Sequence, residues 1–191
     1  PFCRGRIFEH LEKDHGQYDD NTYIFWASGA CLFIRRSVFN ELKGFDADFF
    51  AHQEEIDLCW RAFNLGYKTQ YIAASMVFHV GGATLDSGNP QKTFLNFRNS
   101  LLMLLKNLPQ KHLYKILLFR MILDGIAGFR FLLQGNPRHF NAVVKAHVAF
   151  YKVFQKNKAK RFLTADIDYY KIDSIVIAAF VRKRTTFKSL F

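Results

Sequence analysis

The spacing of apolar positions predicts a strand and a short helix near the start of the chain. From Tyr23 to Arg35 the sequence is almost continuously apolar apart from Ser28-Gly29, which is typical of a buried strand with a close backbone approach at the glycine. Ser37 follows as a candidate N-cap, and Gly44 stands where a left-handed residue would end the helix. The break at Gly29 is a candidate ligand contact.

A second helix and two strands are predicted next. Apolar residues recur at helical spacing over about residues 53–65, and Gly66 is placed to end that helix. Residues 68–72 and 75–80 are rich in residue types that favour strands. Strands and helices therefore alternate in this part of the chain.

The second half of the chain is predicted to be mostly helical. Helical patterns begin at Pro90, continue over residues 112–134 and return over about residues 139–156. Charged residues interrupt helix 112–134 too often for it to span a bilayer. It either lies in the plane of a membrane surface or packs on the domain as a core helix. The first alternative places four apolar side chains toward lipid: Leu117, Leu118, Met121 and Leu132.

The distribution of charge favours the membrane surface. The net charge is +11, but residues 1–105 carry −2 and residues 106–191 carry +13. A basic segment attracts an anionic surface, either lipid headgroups or nucleic acid. No recognisable nucleic-acid motif accompanies these cations, so lipid is the expected partner and nucleic acid is not.

Composition indicates a folded piece of a larger cytoplasmic protein. Half of the residues are hydrophobic, which is enough for a core of ordinary size. The chain begins with Pro1 and has no signal-peptide pattern, so we interpret it as starting within a longer protein. Cys3, Cys31 and Cys59 show no paired spacing, which favours a reducing compartment.

Three acids in four residues form the strongest chemical signal. Glu54, Glu55 and Asp57 open the helix over residues 53–65, and Arg61 follows Asp57 at the spacing of an ion pair. Acids at this place stabilise a helix through its dipole whatever else they do. A carboxylate beside a loop can also act as a general base toward an attacking hydroxyl. The acids by themselves leave both interpretations open.

A histidine before two glycines is the second signal. His79 precedes Gly81 and Gly82 and belongs to the predicted strand 75–80. A histidine in a strand is commonly a hydrogen-bonded core residue. The glycines favour a functional interpretation, because they allow the backbone to approach a phosphate or a metal ion closely.

In their order, the segments ASGACLFIRRSVF, GFDADFFAHQEEIDLCWRAFNLGY and VFHVGGATL resemble the second half of a bacterial, rhamnosyltransferase-like, inverting family-2 glycosyltransferase. The resemblance implies an α/β fold: a partial GT-A, Rossmann-like domain followed by a mostly helical tail. Residues 1–108 would form the acceptor-side half of the domain, and residues 109–191 a basic amphipathic tail that associates with a membrane. The nucleotide-binding half, with its Asp-x-Asp metal motif, is missing, since Asp46-Ala47-Asp48 belongs to the aromatic loop.

The resemblance implies a role for each signal residue. Glu55 takes the position of the base that deprotonates the acceptor hydroxyl, with Glu54 as the alternative because this chain has Glu where the family has Asp. Asp57 would be the third catalytic carboxylate, and Arg61, which closes the motif, would contact the substrate. His79 would lie near the metal and the sugar diphosphate. The remaining residues would line the sugar and diphosphate site: Trp26, Ser28, Gly29, Ala30, Gly81 and Gly82.

The expected function is therefore sugar transfer from a nucleotide-sugar donor to a glycan or lipid-linked hydroxyl acceptor, with inversion, in bacterial cell-surface glycan assembly. A divalent ion, Mg or Mn, would be bound mainly by the missing half, so we expect this chain to be inactive by itself. The expected location is the inner face of the cell membrane. The alternative is a basic nucleic-acid- or membrane-binding module without catalytic activity, in which the acids only cap a helix.

Overall fold

The computed structural model describes residues 6–7, 10–11, 15–79, 88–161, 175, 177–184, 186 and 189. The chain divides into two compact units. The first comprises residues 1–23, 70–76 and 167–191, and the second comprises residues 24–69 and 77–166. None of the described helices combines the length and the hydropathy that crossing a membrane requires.

Two small sheets contain the described strands. Strands β1 (Arg6–Ile7) and β2 (His10–Leu11) pair antiparallel, with Arg6 opposite Leu11. Strands β3 (Thr22–Ile24) and β4 (Thr69–Tyr71) form the second pair. In the first unit, the Asn21 side chain also accepts a hydrogen bond from the backbone N–H of Ala73 at 2.9 Å.

Two of the predicted strands are wrong in extent. The strand expected from Tyr23 to Arg35 ends at Ile24, and a turn of 3-10 helix follows at Gly29–Cys31. The Ser28 hydroxyl accepts a hydrogen bond from the N–H of Ala30, which satisfies the backbone locally and turns the chain. Residues 75–79, the described part of the other strand, have no strand pairing and lie exposed.

Helices dominate the second unit. They are α1 (Arg36–Glu41), α2 (Glu54–Asn64), α3 (Pro90–Asn107), α4 (Gln110–Leu133), α5 (Pro137–Lys152) and α6 (Phe154–Ala159). The long α3 is central, because it packs against α2, α4, α5 and α6. A smaller core forms where α1 meets α2, from Val38, Leu42, Leu58 and Ala62.

The glycine terminators are confirmed. Gly44 adopts φ +67° and donates its N–H to the carbonyl of Phe39 at 2.9 Å, which ends α1, and Gly66 adopts φ +86° after α2. The expected N-cap is wrong, because Arg35 occupies that position without a side-chain cap and Ser37 lies within the helix.

Helix α4 packs on the domain with one face and exposes apolar side chains on another. Leu113, Leu117 and Gly128 are buried, and a Cβ on Gly128 would lie 3.4 Å from the Phe140 ring of α5. Leu117 therefore does not belong to the exposed face predicted for this helix. The apolar side chains that are more than half exposed lie on the opposite side: Leu118, Phe119, Ile122, Ile126, Phe129 and Leu133.

Candidate active site

A strained loop leads into the acidic cluster. Phe50, His52 and Gln53 all adopt left-handed backbone conformations, with φ of 63°, 68° and 70°. Residues other than glycine avoid this region, and a bulky aromatic does so most strongly. Gln53 is the residue immediately before α2, so this loop fixes where the first carboxylates of the helix stand.

Asp57 is an anchor inside the domain. It is fully buried, and its Oδ2 accepts from Arg61 Nε at 2.8 Å and from Lys106 Nζ at 2.9 Å. Its Oδ1 accepts from Asn107 Nδ2 at 2.8 Å. Arg61 also donates to the carbonyls of Leu42 and Gly44. Both side chains are occupied and hidden from solvent, so this arrangement does not favour the catalytic role predicted for Asp57 or the substrate contact predicted for Arg61.

Lysines of α3 and of the end of α6 bind the two aspartates of the aromatic loop, Asp46 and Asp48. Lys160 Nζ lies 2.7 Å from both Asp46 Oδ1 and Asp48 Oδ2, Lys156 Nζ lies 2.6 Å from Asp48 Oδ1, and Lys106 Nζ lies 2.8 Å from Asp46 Oδ2. Burial would raise the pKa of Asp46, but hydrogen bonds from Lys106 and Lys160 outweigh burial and hold that pKa far below its usual range. Burial would also raise the pKa of Asp48, but hydrogen bonds from Lys156 and Lys160 outweigh it and lower that pKa.

Glu54 and Glu55 differ from these aspartates because they have oxygens without partners. Both residues are half-buried, and the buried Oε2 atom of each accepts no hydrogen bond among the described residues. Burial raises the pKa of Glu55, and the neighbouring charge of Glu54 raises it further, although backbone N–H groups oppose this. Unpaired buried polar groups are rare in folded proteins and are often found at functional sites.

The Ser28–Ala30 segment, where the sequence predicts a ligand contact, lies beside Glu55. A Cβ built on Gly29 would lie 3.9 Å from the Glu55 Cβ. Ser28, Gly29 and Ala30 are exposed to solvent and Trp26 is half-buried. A carboxylate with a raised pKa therefore stands next to an accessible loop, which suits a proton acceptor toward a bound hydroxyl.

The predicted role of the histidine near the metal and diphosphate stays a prediction. His79 is exposed, and in the described part of the chain no hydrogen bond or ion pair joins it to Glu54 or Glu55. Gly81 and Gly82 lie outside the described residues. Among the described residues, no group of three His, Cys, Asp or Glu side chains could hold a metal ion, so those residues do not form a metal site by themselves.

Sequence analysis did not identify the polar residues of α3 that support the site. Arg98, Asn99, Lys106 and Asn107 contact the loop or Asp57. A signal for two of them was present, because Lys106 and Asn107 directly follow the apolar run 101–105 at the end of α3, and both are buried. Buried polar side chains need partners, and the sequence gives no indication of which partners they find.

Comparison with known proteins identifies a family. Residues 7–150 match the model of the glycosyl transferase family group 2. An N-acetylglucosaminyl-diphospho-decaprenol L-rhamnosyltransferase of Mycobacterium tuberculosis is 39% identical over 56 residues, which cover 29% of this chain and 18% of the relative. Rhamnosyltransferase WbbL of Escherichia coli (strain K12) is 36% identical over 62 residues, which cover 32% of this chain and 23% of the relative.

The matched segments span about a fifth of the length of these relatives. No solved structure matches the chain. The family match, in contrast, covers well over half of the residues and confirms the rhamnosyltransferase-like resemblance of the motifs. The chain belongs to the glycosyl transferase family group 2.

Proposed function

We propose that the chain supplies the acceptor side of a GT-A glycosyltransferase that moves a sugar from a nucleotide-sugar donor to a hydroxyl group with inversion. The observation that carries this proposal is the Glu55 carboxyl, half-buried beside the exposed Ser28–Ala30 segment with an unpartnered oxygen. Family membership supplies the class of reaction. The unpartnered oxygen supplies the place where an acceptor proton can go.

In this proposal Glu55 accepts the proton of the acceptor hydroxyl while its oxygen attacks the anomeric carbon. The bond from that carbon to the nucleotide diphosphate breaks on the opposite face, so a single displacement inverts the configuration. A base with a raised pKa holds the proton more readily at the moment of transfer. Glu54 is the alternative base, and its charge helps to keep the pKa of Glu55 high.

The relatives suggest the substrates. One relative is named for transfer of L-rhamnose to N-acetylglucosaminyl-diphospho-decaprenol, and the other is also named a rhamnosyltransferase. We propose an activated L-rhamnose as donor and a polyprenol-linked amino sugar as acceptor, in assembly of a bacterial surface polysaccharide. A Mg or Mn ion would be held mainly by a donor-binding half, with His79 contributing at most one nitrogen.

A lipid-linked acceptor requires access to a membrane, and α4 offers a surface for that contact. Its exposed apolar stripe runs from Leu118 to Leu133 on the side opposite the buried face. Lys111 and Lys115 continue the same side of the helix toward its beginning, where they could meet anionic headgroups. We propose that this surface rests on the inner face of the cell membrane.

Liposome flotation tests the membrane contact. The chain should float with vesicles that contain anionic phospholipid and should do so less at high salt. The double change Ile122→Ser with Ile126→Ser should weaken flotation, whereas Val144→Ser, which changes an exposed apolar residue of α5, should not. Equal flotation of both variants would place the contact elsewhere.

Nucleic-acid binding is not favoured, because several of the cations that suggested it are engaged inside the domain. Lys106, Lys156 and Lys160 pair with Asp46, Asp48 or Asp57. Arg161 donates to the carbonyls of Leu105 and Leu108. These cations are therefore not available to bind a row of phosphates.

Substitution of the proposed base tests the function. In a transferase that combines this chain with a donor-binding half, Glu55→Gln should reduce kcat by about 10²- to 10⁴-fold, because amide nitrogen and oxygen cannot take up the proton. Glu54→Gln is the matched control and should cost much less. Transfer from activated L-rhamnose to N-acetylglucosaminyl-diphospho-polyprenol would be measured, and full activity of the Glu55→Gln variant would rule out Glu55 as the base.

The isolated chain provides a second test. Without the donor-binding half, the 191 residues should show no transfer, because in this proposal that half holds most of the ligands of the metal and its diphosphate. Measurable transfer by the purified chain would contradict the proposal that a separate donor-binding half is needed for activity.

A further inference from the structure

The backbone of the strained loop is held from one side by helix α3. Asn99 is fully buried, and its Nδ2 lies 2.9 Å from the carbonyl oxygen of Phe49 and 2.8 Å from those of Ala51 and His52. A carboxamide nitrogen carries two hydrogens, so three carbonyls share them. The Asn99 Oδ1 accepts from Arg98 Nε at 3.0 Å, which fixes the amide with its nitrogen toward the loop.

Two further contacts extend this grip along the loop. Arg98 Nη2 donates to the carbonyls of Asp48 and Phe49 at 2.9 and 3.1 Å, and its guanidinium lies over the Phe94 ring. Gln53 Nε2 donates to Ser100 Oγ at 2.7 Å and to the Asn96 carbonyl at 3.2 Å. Helix α3 therefore contacts the loop from residue 48 to residue 53, the residue immediately before α2.

The loop conformation needs such a grip. Phe50, His52 and Gln53 adopt the left-handed conformation without being glycine. Phe50 is 80% exposed, so packing of its ring does not explain the conformation. Strained backbone of this kind persists where the surrounding structure over-determines it, and here the surrounding structure is the set of donors on α3.

The grip matters for catalysis because the Glu55 carboxylate is bound by backbone N–H groups, among them those of Gln53 and Glu55, where the loop enters α2. The Oε2 atoms of Glu54 and Glu55 have no hydrogen-bond partner in the described part of the chain. Their positions therefore follow from the backbone at the start of α2, and that backbone continues the loop held by Asn99. A shift of the loop would carry the base with it.

We propose that Asn99, assisted by Arg98, is a positioning residue for the transfer reaction: it holds loop 48–53 in the strained shape that places Glu55 against the acceptor. The catalytic part of this inference rests on the proposed function, and the structural part does not. Neither residue is a catalytic residue, since each acts through the loop backbone.

The first experiment compares Asn99→Asp with Leu113→Ala. Asn99→Asp keeps the size of the side chain but turns oxygens toward three carbonyls, so it should release the loop. Leu113→Ala opens a cavity under α4 and serves as the control for general loss of stability, because Leu113 is equally buried. Amide hydrogen exchange in the 191-residue chain should accelerate about tenfold or more at residues 49–53 in Asn99→Asp relative to the α4 amides.

The second experiment adds Phe50→Gly. Glycine adopts the left-handed conformation without strain, so it should stabilise the Leu113→Ala protein, whose loop is still held in the strained shape. It should stabilise Asn99→Asp less, because a released loop no longer carries that strain. Loop exchange that is the same in Asn99→Asp and Leu113→Ala, or no coupling to Phe50→Gly, would make Asn99 an ordinary core residue and overturn the proposal.

Kinetics in the complete transferase test the catalytic part. A base displaced by about 1 Å costs on the order of 100-fold in rate, so Asn99→Asp should lower kcat while leaving KM for the donor nearly unchanged. Leu113→Ala, assayed below its melting temperature, should change neither. Faster loop exchange with unchanged kcat would overturn the positioning role, whereas transfer that is indifferent to Glu55→Gln would instead contradict the proposed function.

Discussion

The two ends of one acidic stretch have opposite surroundings. Asp57 is surrounded by donors from Arg61, Lys106 and Asn107 and is fully buried. Glu55, half a turn earlier in the same helix, is half-buried and keeps an unpartnered oxygen beside an exposed loop. A paired carboxylate holds a structure together, whereas an unpaired one can accept a proton or a ligand. Asp57 is therefore a structural anchor, whereas Glu55, two residues earlier, is the candidate base.

Removing the anchor should have the largest effect. Asp57→Asn keeps the side-chain volume but leaves the buried Arg61 without its counter-charge and Lys106 with Asp46 alone. Breaking a buried ion pair typically costs about 3–5 kcal/mol of unfolding free energy. Urea denaturation at neutral pH measures the change. Asp19→Asn, at an exposed aspartate, is the control and should cost less than about 0.5 kcal/mol. A loss below about 1 kcal/mol in Asp57→Asn would show that Asp57 does not anchor the structure.

Acid should weaken the contribution of Asp46 and Asp48 to the stability of the fold. The pKa values of Asp46 and Asp48 are lowered on folding. Their contribution to stability is therefore present above the unfolded value of about 3.8 and is lost as the pH falls below it. Unfolding free energy measured from pH 6 to pH 3 should fall. Asp46→Asn should lower the unfolding free energy by about 2 kcal/mol at pH 6 and make it depend less on pH. If this variant keeps the full pH dependence, Asp46 is not the source of the acid sensitivity.

The contribution of Glu55 to stability should depend on pH in the opposite direction. Burial raises the pKa of Glu55, so its contribution to stability is present at low pH and is lost as the pH rises through the folded value. Glu55→Gln should therefore be at least as stable as the parent at pH 7, with a gain of about 1 kcal/mol or less. Calorimetry at pH 7 and pH 4 checks this. A clear loss of stability at pH 7 would show that Glu55 has a structural partner.

The smallest effect is expected at the exposed edge of the anchoring network. Lys156 contacts Asp48 at 2.6 Å, but its side chain is 60% exposed. Lys156→Ala should cost about 0.2–1 kcal/mol, and the cost should shrink in 1 M NaCl because solvent and salt screen such pairs. Lys106→Ala, at the buried lysine of the same network, should cost more and should not lose its effect in salt.

Much of the local structure of the second unit could be predicted from sequence. Gly44 and Gly66 end α1 and α2 as expected, because few residues other than glycine adopt the left-handed terminator. The pattern also indicated α2, α3 and α4, whose apolar residues recur at helical spacing. The strands were predicted less well, because a short run of apolar residues such as 23–35 is compatible with strand or turn until side chains such as Ser28 find their partners.

The candidate site could be predicted only in part. The sequence identified Glu55 and the neighbouring Gly29, which the structure brings together. It grouped Asp57 and Arg61 with them, although both belong to the anchor. Asn99, about 45 residues further along the chain, was not identified. Its hydrogen bonds to the loop depend on how α3 packs against α2, which no local pattern encodes.

The sequence by itself determined the family, the order of the helices and the presence of three acids at the start of one of them, because motifs and helical periodicity are local properties of the chain. Only the tertiary structure decided which acid became an anchor and which kept a free oxygen. Pairing depends on which distant donors folding brings within about 3 Å, and a carboxylate's role follows from the partners it gains or lacks.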